Sequence, residues 1–271
     1  MSNQNASQAS SGKFSTMFAS ILIPLALIVA ILIYKFILGD PSHFEGGDNT
    51  KHPHSGDYLG MMYKGGILVP VLMALMIIVI SVIIERFITL RVANGKGSIP
   101  AFVRKVKNLL DGNNVEAAIG ECDKQKGSVA NVIREGLVKY KEMEKTSGLD
   151  KDQKVLAISK EIEESTSLEL PMLEKNLVIL ATISSIATLM GLLGTVFGMI
   201  RAFSAIATAG APDAVALSTG ISEALINTAL GISTSAIAII AYNYFTTKID
   251  GLTYGIDEAG FTIAQNFAAK H

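Results

Sequence analysis

Between Asp213 and Lys248 lie 34 residues that carry a single ionisable carboxyl or amine, Glu223. A charge held inside hydrocarbon costs from a few to more than about ten kcal/mol, so an acid retained in such a run is read first as functional. Asn227, Gly231 and Thr234 follow it at steps of 4, 4 and 3, with Thr228 and Ser235 one position round. That spacing puts a polar stripe along one side of a helix. Threonine hydroxyls do not titrate near neutral pH, but they bond a carboxyl in either protonation state or hold a water beside it. A competing reading places Glu223 near the outer boundary of a membrane, hydrogen-bonded and purely structural. Upstream, Ser184, Thr188, Gly191, Thr195, Gly198 and Ala202 recur at steps of 4, 3, 4, 3 and 4, and Gly194 forms a GxxxG with Gly198 on the neighbouring stripe. Small stripes let helix backbones approach closely. They predict tight helix–helix packing, since such a stripe is more often a packing seam than the wall of a pore. One acid with no second buried acid or base does not complete a proton relay, so a partner would have to supply the other carboxylate.

The elements that must carry these stripes follow from composition. The 271 residues are 49% hydrophobic and 17% charged, against about 25% charged in soluble domains. Mean hydropathy is +0.41. The net charge of −1 supplies no field for nucleic acid, and the lone Cys122 excludes an internal disulfide or a CxxC pair. Uncharged apolar runs at Met17–Tyr34, Gly65–Ile84, Asn176–Ile200 and Ala224–Thr247 hold 18, 20, 25 and 24 residues. Each is near the ~20 needed to cross a bilayer as a helix. The fold class is therefore an all-α integral membrane protein with four spans, at 17–38, 67–84, 176–201 and 216–245. The first also has the outline of a signal peptide, but it lacks an A-x-A cleavage pattern and reads as an uncleaved helix.

Residues 85–175 differ in kind, with 16 of the 23 Lys and Arg and 15 acids. Basic residues beside the span ends (Arg86, Arg91 and Lys175) mark this helical block as the inner side. Alternation then puts the tail 1–16 inside, the loop 39–66 outside, a hairpin at 202–215 outside and the tail 246–271 inside. Within the block, Val103–Leu110 and Val115–Cys122 read as amphipathic helices around an Asp111–Asn114 turn. The pattern over Gln153–Leu173 predicts a long helix running on into the third span past Pro171. His43, His52 and His54 lie in the outer loop without helical i, i+4 spacing, which favours a flexible polar loop over a metal site. No nucleophile–base pair is evident, so an enzyme is not expected, and neither is a cofactor.

The runs Gly191-Leu-Leu-Gly-Thr-Val-Phe-Gly-Met-Ile200 and Gly220-Ile-Ser-Glu-Ala-Leu-Ile-Asn-Thr-Ala-Leu-Gly231 closely resemble the MotA/TolQ/ExbB proton-channel family, its ExbB/TolQ branch in particular. The resemblance extends over roughly Ile67–Phe245 and includes Glu85. It implies a homopentamer in the bacterial inner membrane, so that inside is cytoplasm and outside is periplasm. It also implies an ExbD- or TolR-like single-span partner that supplies the titrating aspartate. Proton-motive force through that assembly would energise a TonB- or TolA-like protein. By the same resemblance Thr195 and Thr228 line the pore and Glu223 sits at its periplasmic end; Asn227 is added from helix spacing alone. Two departures stand out: the extra first helix gives a four-span arrangement resembling MotA, and Thr188 occupies a position where the family commonly has proline. A MotA-type stator and a non-conducting scaffold remain the alternatives.

Overall fold

The computed structural model describes residues 20–208 and 214–271. The expected tail 1–16 and the tip of the expected hairpin lie outside these residues. Apart from one isolated bridge, Phe44 to Pro53, the described secondary structure is helical. In order it comprises α1 (Ser20–Leu38, its last turn a π-helix), α2 (Tyr58–Lys64), α3 (Leu68–Ala93), α4 (Ile99–Asp111), α5 (Val115–Gln125), α6 (Gly127–Lys145), α7 (Lys151–Glu174), α8 (Leu177–Thr208) and α9 (Ala214–Lys270). Helix α8 extends to Thr208 and α9 begins at Ala214, so both take in residues of the expected hairpin 202–215. The chain forms two compact units: one contains the described residues to Ile83 with Val178–Tyr242, the other Ile84–Leu177 with Asn243–His271.

Among the described residues, four helices are long and apolar enough to cross a membrane, and the chain is a multi-pass membrane protein. Their outward faces carry exposed Ile80, Leu189, Leu192, Ile200 and Ile240. Inward positions are often small, such as Ala26, Ala30, Ala187 and Ala238. This is the pattern expected where lipid supplies no hydrophobic force and contact must do the packing.

The loop after α1 is built rather than loose, against expectation. Asp40 accepts hydrogen bonds from the hydroxyl and amide of Ser42, Asp48 from the amide and hydroxyl of Thr50, and Asp57 from the amides of Leu59 and Gly60 at the start of α2. His43 Nδ1 lies 2.7 Å from Asp57 Oδ2, and Tyr63 stacks on Tyr34 at 4.7 Å with Phe44 edge-on at 5.5 Å. Sequence periodicity carries no signal for such side-chain-to-backbone turns. The three carboxyls are held below the usual range, by the Ser42 hydroxyl at Asp40, the Thr50 amide at Asp48 and the Gly60 amide at Asp57. Lowered folded-state values stabilise the loop above the ordinary aspartate value of about 3.9, and that contribution is lost as pH falls through the lowered values. Hydrogen-exchange protection factors over residues 39–64 are therefore expected to hold from pH 7 to about 5 and to fall below about 4. Loss of protection between pH 8 and 5 would contradict this account.

In the second unit, α4 and α5 form where amphipathic helices were expected, and the turn between them uses Asn113 at φ 60 and an Asn114 cap on the Ala117 amide. Residues 246–271, expected as a tail, instead continue α9 to Lys270 and bury Ile249, Leu252, Ile256, Ile263 and Phe267. Tyr140, fully buried on α6, donates its hydroxyl to Asn266 Oδ1 (3.1 Å) and meets Phe267 edge-on. Burial pushes the Cys122 thiol up to about 12, so it is a poor nucleophile. The expected continuous helix into the third span is interrupted, though not at Pro171. Helix α7 ends at Glu174, and Asn176 takes φ 67 before α8 begins, a left-handed conformation that asparagine tolerates better than most residues. Arg86 is also not a solvated boundary charge. Only 2% exposed, it pairs with Glu85 and donates to the carbonyls of Met172 and Leu173 in the last turn of α7. A guanidinium there satisfies carbonyls that the helix leaves orphaned.

Candidate functional site

The polar stripe of α9 and the small stripe of α8 meet. Gly191 lies against Gly231 and the carbonyl of Asn227, Gly194 against the Asn227 side chain, Gly198 against Gly220 and Ala224, and Ala202 against Gly220. Residue numbers rise along one helix as they fall along the other, so α8 and α9 are antiparallel. At Gly191, Gly198, Gly220 and Gly231 a methyl group would strike backbone of the opposite helix, and at Gly194 it would strike the Asn227 side chain; none of the five has positive φ. Space, not backbone conformation, requires glycine here. Ser235 adds a hydrogen bond from its hydroxyl to the Ser184 carbonyl.

The seam is shifted from the expected stripe at one position. Ala187 is fully buried, whereas Thr188 is exposed within the single chain and Ser184 lies at the edge. Two adjacent stripes of α8 are made of small residues, and the backbones close along the one with less side chain. Gly191, Gly194 and Gly198 lie in it, and Gly231 faces it from α9.

Thr195 and Thr228 come together at the edge of the seam. Their hydroxyl oxygens are 2.7 Å apart and both reach backbone carbonyls, Gly191 at 3.3 Å for each and Ala224 at 3.1 Å for Thr228. Both side chains are half-buried. Thr195 also lines an open groove of about 560 Å³ whose other walls are Val196, Met199, Ile200 and Phe203.

Glu223 and Asn227 sit deeper. The Glu223 side chain is 8% exposed, and one nitrogen of Arg201, itself 59% exposed, donates to both of its oxygens at 2.7 and 2.8 Å. Gly66, at φ +77, leaves room for this pair; a side chain there would meet the Glu223 carboxylate. Asn227 is 1% exposed and donates to the Gly65 carbonyl at 2.8 Å, while its Oδ1 has no partner among the described residues. Thus the turn before α3 docks on α9 through two polar residues one helical turn apart. Arg201 is a residue that the sequence pattern does not single out. It is the first charge after the uncharged run ending at Ile200, and its position reads as a span boundary. The antiparallel register carries the missing signal, since Ala202 opposite Gly220 brings residue 201 beside residue 223.

The family model described as the MotA/TolQ/ExbB proton channel family matches residues 125–258. That match covers α6 to most of α9 and begins well after Ile67, so α3 and Glu85 fall outside it. The chain is 29% identical over 157 residues to the Tol-Pal system protein TolQ of Pseudomonas aeruginosa, covering 58% of this chain and 68% of that protein. It is 37% identical over 94 residues to TolQ of Haemophilus influenzae (33% and 41% covered). To the biopolymer transport protein ExbB of Pseudomonas putida it is 38% identical over 81 residues (30% and 25% covered). The chain thus spans less than half the length of the last two. The paired glycine seam and the hydroxyl contact lie inside the matched region, and over it the chain is similar to the MotA/TolQ/ExbB proton channel family, with relatives named TolQ and ExbB.

Proposed function

We propose that this chain is the multi-span subunit of an inner-membrane proton-driven motor, assembled as a homopentamer around an ExbD- or TolR-like single-span partner. It would use proton-motive force to energise a TonB- or TolA-like protein acting across the periplasm. The observation that carries this reading is the Thr195–Thr228 hydroxyl contact at 2.7 Å on the edge of a glycine seam. Each hydroxyl can donate or accept, so the pair can solvate a partner aspartate whether it is ionised or protonated. Neither hydroxyl changes charge, which leaves the titrating group to the partner. Glu223, neutralised by Arg201, serves as a fixed charge near the outer end, and the unpaired Asn227 Oδ1 is an acceptor for water on the path. With the block 85–175 in the cytoplasm, protonation from the outer side and release inward would shift the partner between pore walls that five subunits cannot satisfy at once.

The test is proton flux into vesicles holding the chain and its partner under an imposed potential. Thr228→Val keeps the shape and removes the hydroxyl. Hydrogen bonds to charged groups are worth about 1.5–3 kcal/mol, so flux is expected to fall about 10- to 100-fold. Unchanged flux would end the pore role of Thr228. The four long apolar helices favour a second reading, a motility stator; binding of peptidoglycan by the partner's outer domain would select it.

A further inference from the structure

A groove of about 400 Å³ in the second unit lies between the end of α3 and α9, with walls formed by Phe87, Leu90, Tyr244 and Phe245 and with Arg91 and Lys248 beside them. Both cations are exposed, and neither has a carboxylate partner among the described residues. Lys248 instead lies 5.7 Å above the Tyr244 ring. Some cations of the unit, Lys105, Lys124 and Arg134 among them, do pair with acids; these two instead flank apolar walls. Position along the chain adds a second argument. Lys248 follows the uncharged run 224–247 directly, and Arg91 stands six residues past Glu85, about 9 Å of helix. The groove therefore sits where apolar helix gives way to water. Phe87, Ile88, Val92 and Tyr244 are at least half exposed around it, as aromatic and apolar anchors are at a bilayer interface.

One effect opposes an anion here, since the C-terminus of α3 carries partial negative charge. That end is partly neutralised, because Gln125 donates to the Asn94 carbonyl at 3.2 Å. Two full cations outweigh what remains.

We propose that this groove binds the headgroup of an anionic phospholipid, with its phosphate between Arg91 and Lys248 and its acyl chains along Phe87 and Tyr244. A free phosphate would satisfy the cations but leave the apolar walls wet, whereas a phospholipid fills both. The inference rests on α3 and α9 crossing a bilayer and not on proton conduction.

The test uses the full chain in detergent, stripped of lipid and then given phosphatidylglycerol, phosphatidylcholine or inorganic phosphate. Retained lipid is counted by native mass spectrometry, and thermal stability is read in parallel. Phosphatidylglycerol should be retained in preference to phosphatidylcholine. Each of Arg91→Gln and Lys248→Gln should cut that preference about fivefold, since one cation near an anionic surface contributes about that much. Raising salt from 0.1 to 0.5 M should weaken the preference in the unaltered chain, a readout that needs no variant to fold, and a preference unchanged by salt would overturn the assignment. Equal retention of the two lipids, variants that retain phosphatidylglycerol as before, or stabilisation by inorganic phosphate alone would each overturn the assignment. Proton flux is a separate readout: its absence would count against the channel reading and leave the lipid result standing.

Discussion

Alanine at Gly198 or Gly231 is expected to lower the thermal stability of the purified chain, while the same change at Gly120 raises it. All three glycines are helical, so propensity alone favours alanine at each by about 0.5–1 kcal/mol. What differs is what the new methyl meets. At Gly120 nothing lies within 4 Å, and the propensity gain is realised. At Gly198 the methyl would come to 2.7 Å from the Ala224 amide and the Gly220 carbonyl, and at Gly231 to 2.8 Å from the Gly191 Cα. These are backbone atoms of the facing helix, which cannot turn aside as a side chain would. The helices must separate, at a cost of about 1–3 kcal/mol for overpacking. Separation would also part Thr195 from Thr228, whose 2.7 Å contact depends on the same close approach. Proton flux should therefore fall in both seam variants although no proposed pore residue is altered. Melting temperatures that rise for all three glycines would show that propensity, not backbone contact, governs these positions.

The stripe Glu223, Asn227, Gly231 and Thr234 was legible because a buried helix face repeats every three to four residues, and all four are buried. The same periodicity runs through Ile249, Leu252, Ile256 and Ile263, but there it is interleaved with charged residues. Beyond Lys248 the charges resume, and a helix packed within the second unit then looks like a tail. Thr188 shows another limit. Two neighbouring faces of α8 are both small, and only the partner helix decides between them. The loop 39–66 was illegible for a different reason: its order comes from Asp40, Asp48 and Asp57 bonding to nearby amides and from three aromatic rings meeting, none of which is periodic. Asn176 broke a helix that Pro171 did not, since one residue at positive φ redirects the chain more sharply than a missing amide does.

Replacing Arg201 with glutamine is expected to destabilise the first unit more than replacing Glu223 with glutamine does. The asymmetry follows from exposure. Glu223 is 8% exposed and Arg201 59%. When the arginine is removed, a carboxylate stays behind in a buried position without its counter-charge. When the glutamate is neutralised, the guanidinium left behind is already largely in water. Breaking a fully buried pair costs about 3–5 kcal/mol. The half-exposed guanidinium screens and discounts that figure, to about 2 kcal/mol for Arg201→Gln and below about 1 kcal/mol for Glu223→Gln. The double variant should then resemble Glu223→Gln alone, because it no longer contains an unpaired buried charge. A double-mutant cycle on unfolding free energy isolates this coupling. Equal losses from the two single variants, or additive losses in the double, would mean that Arg201 does not hold Glu223 in place. The proton-flux readout bears on the proposed role as well. If Glu223 is a fixed charge and not a carrier, Glu223→Gln should keep most of the flux, whereas Thr228→Val should not.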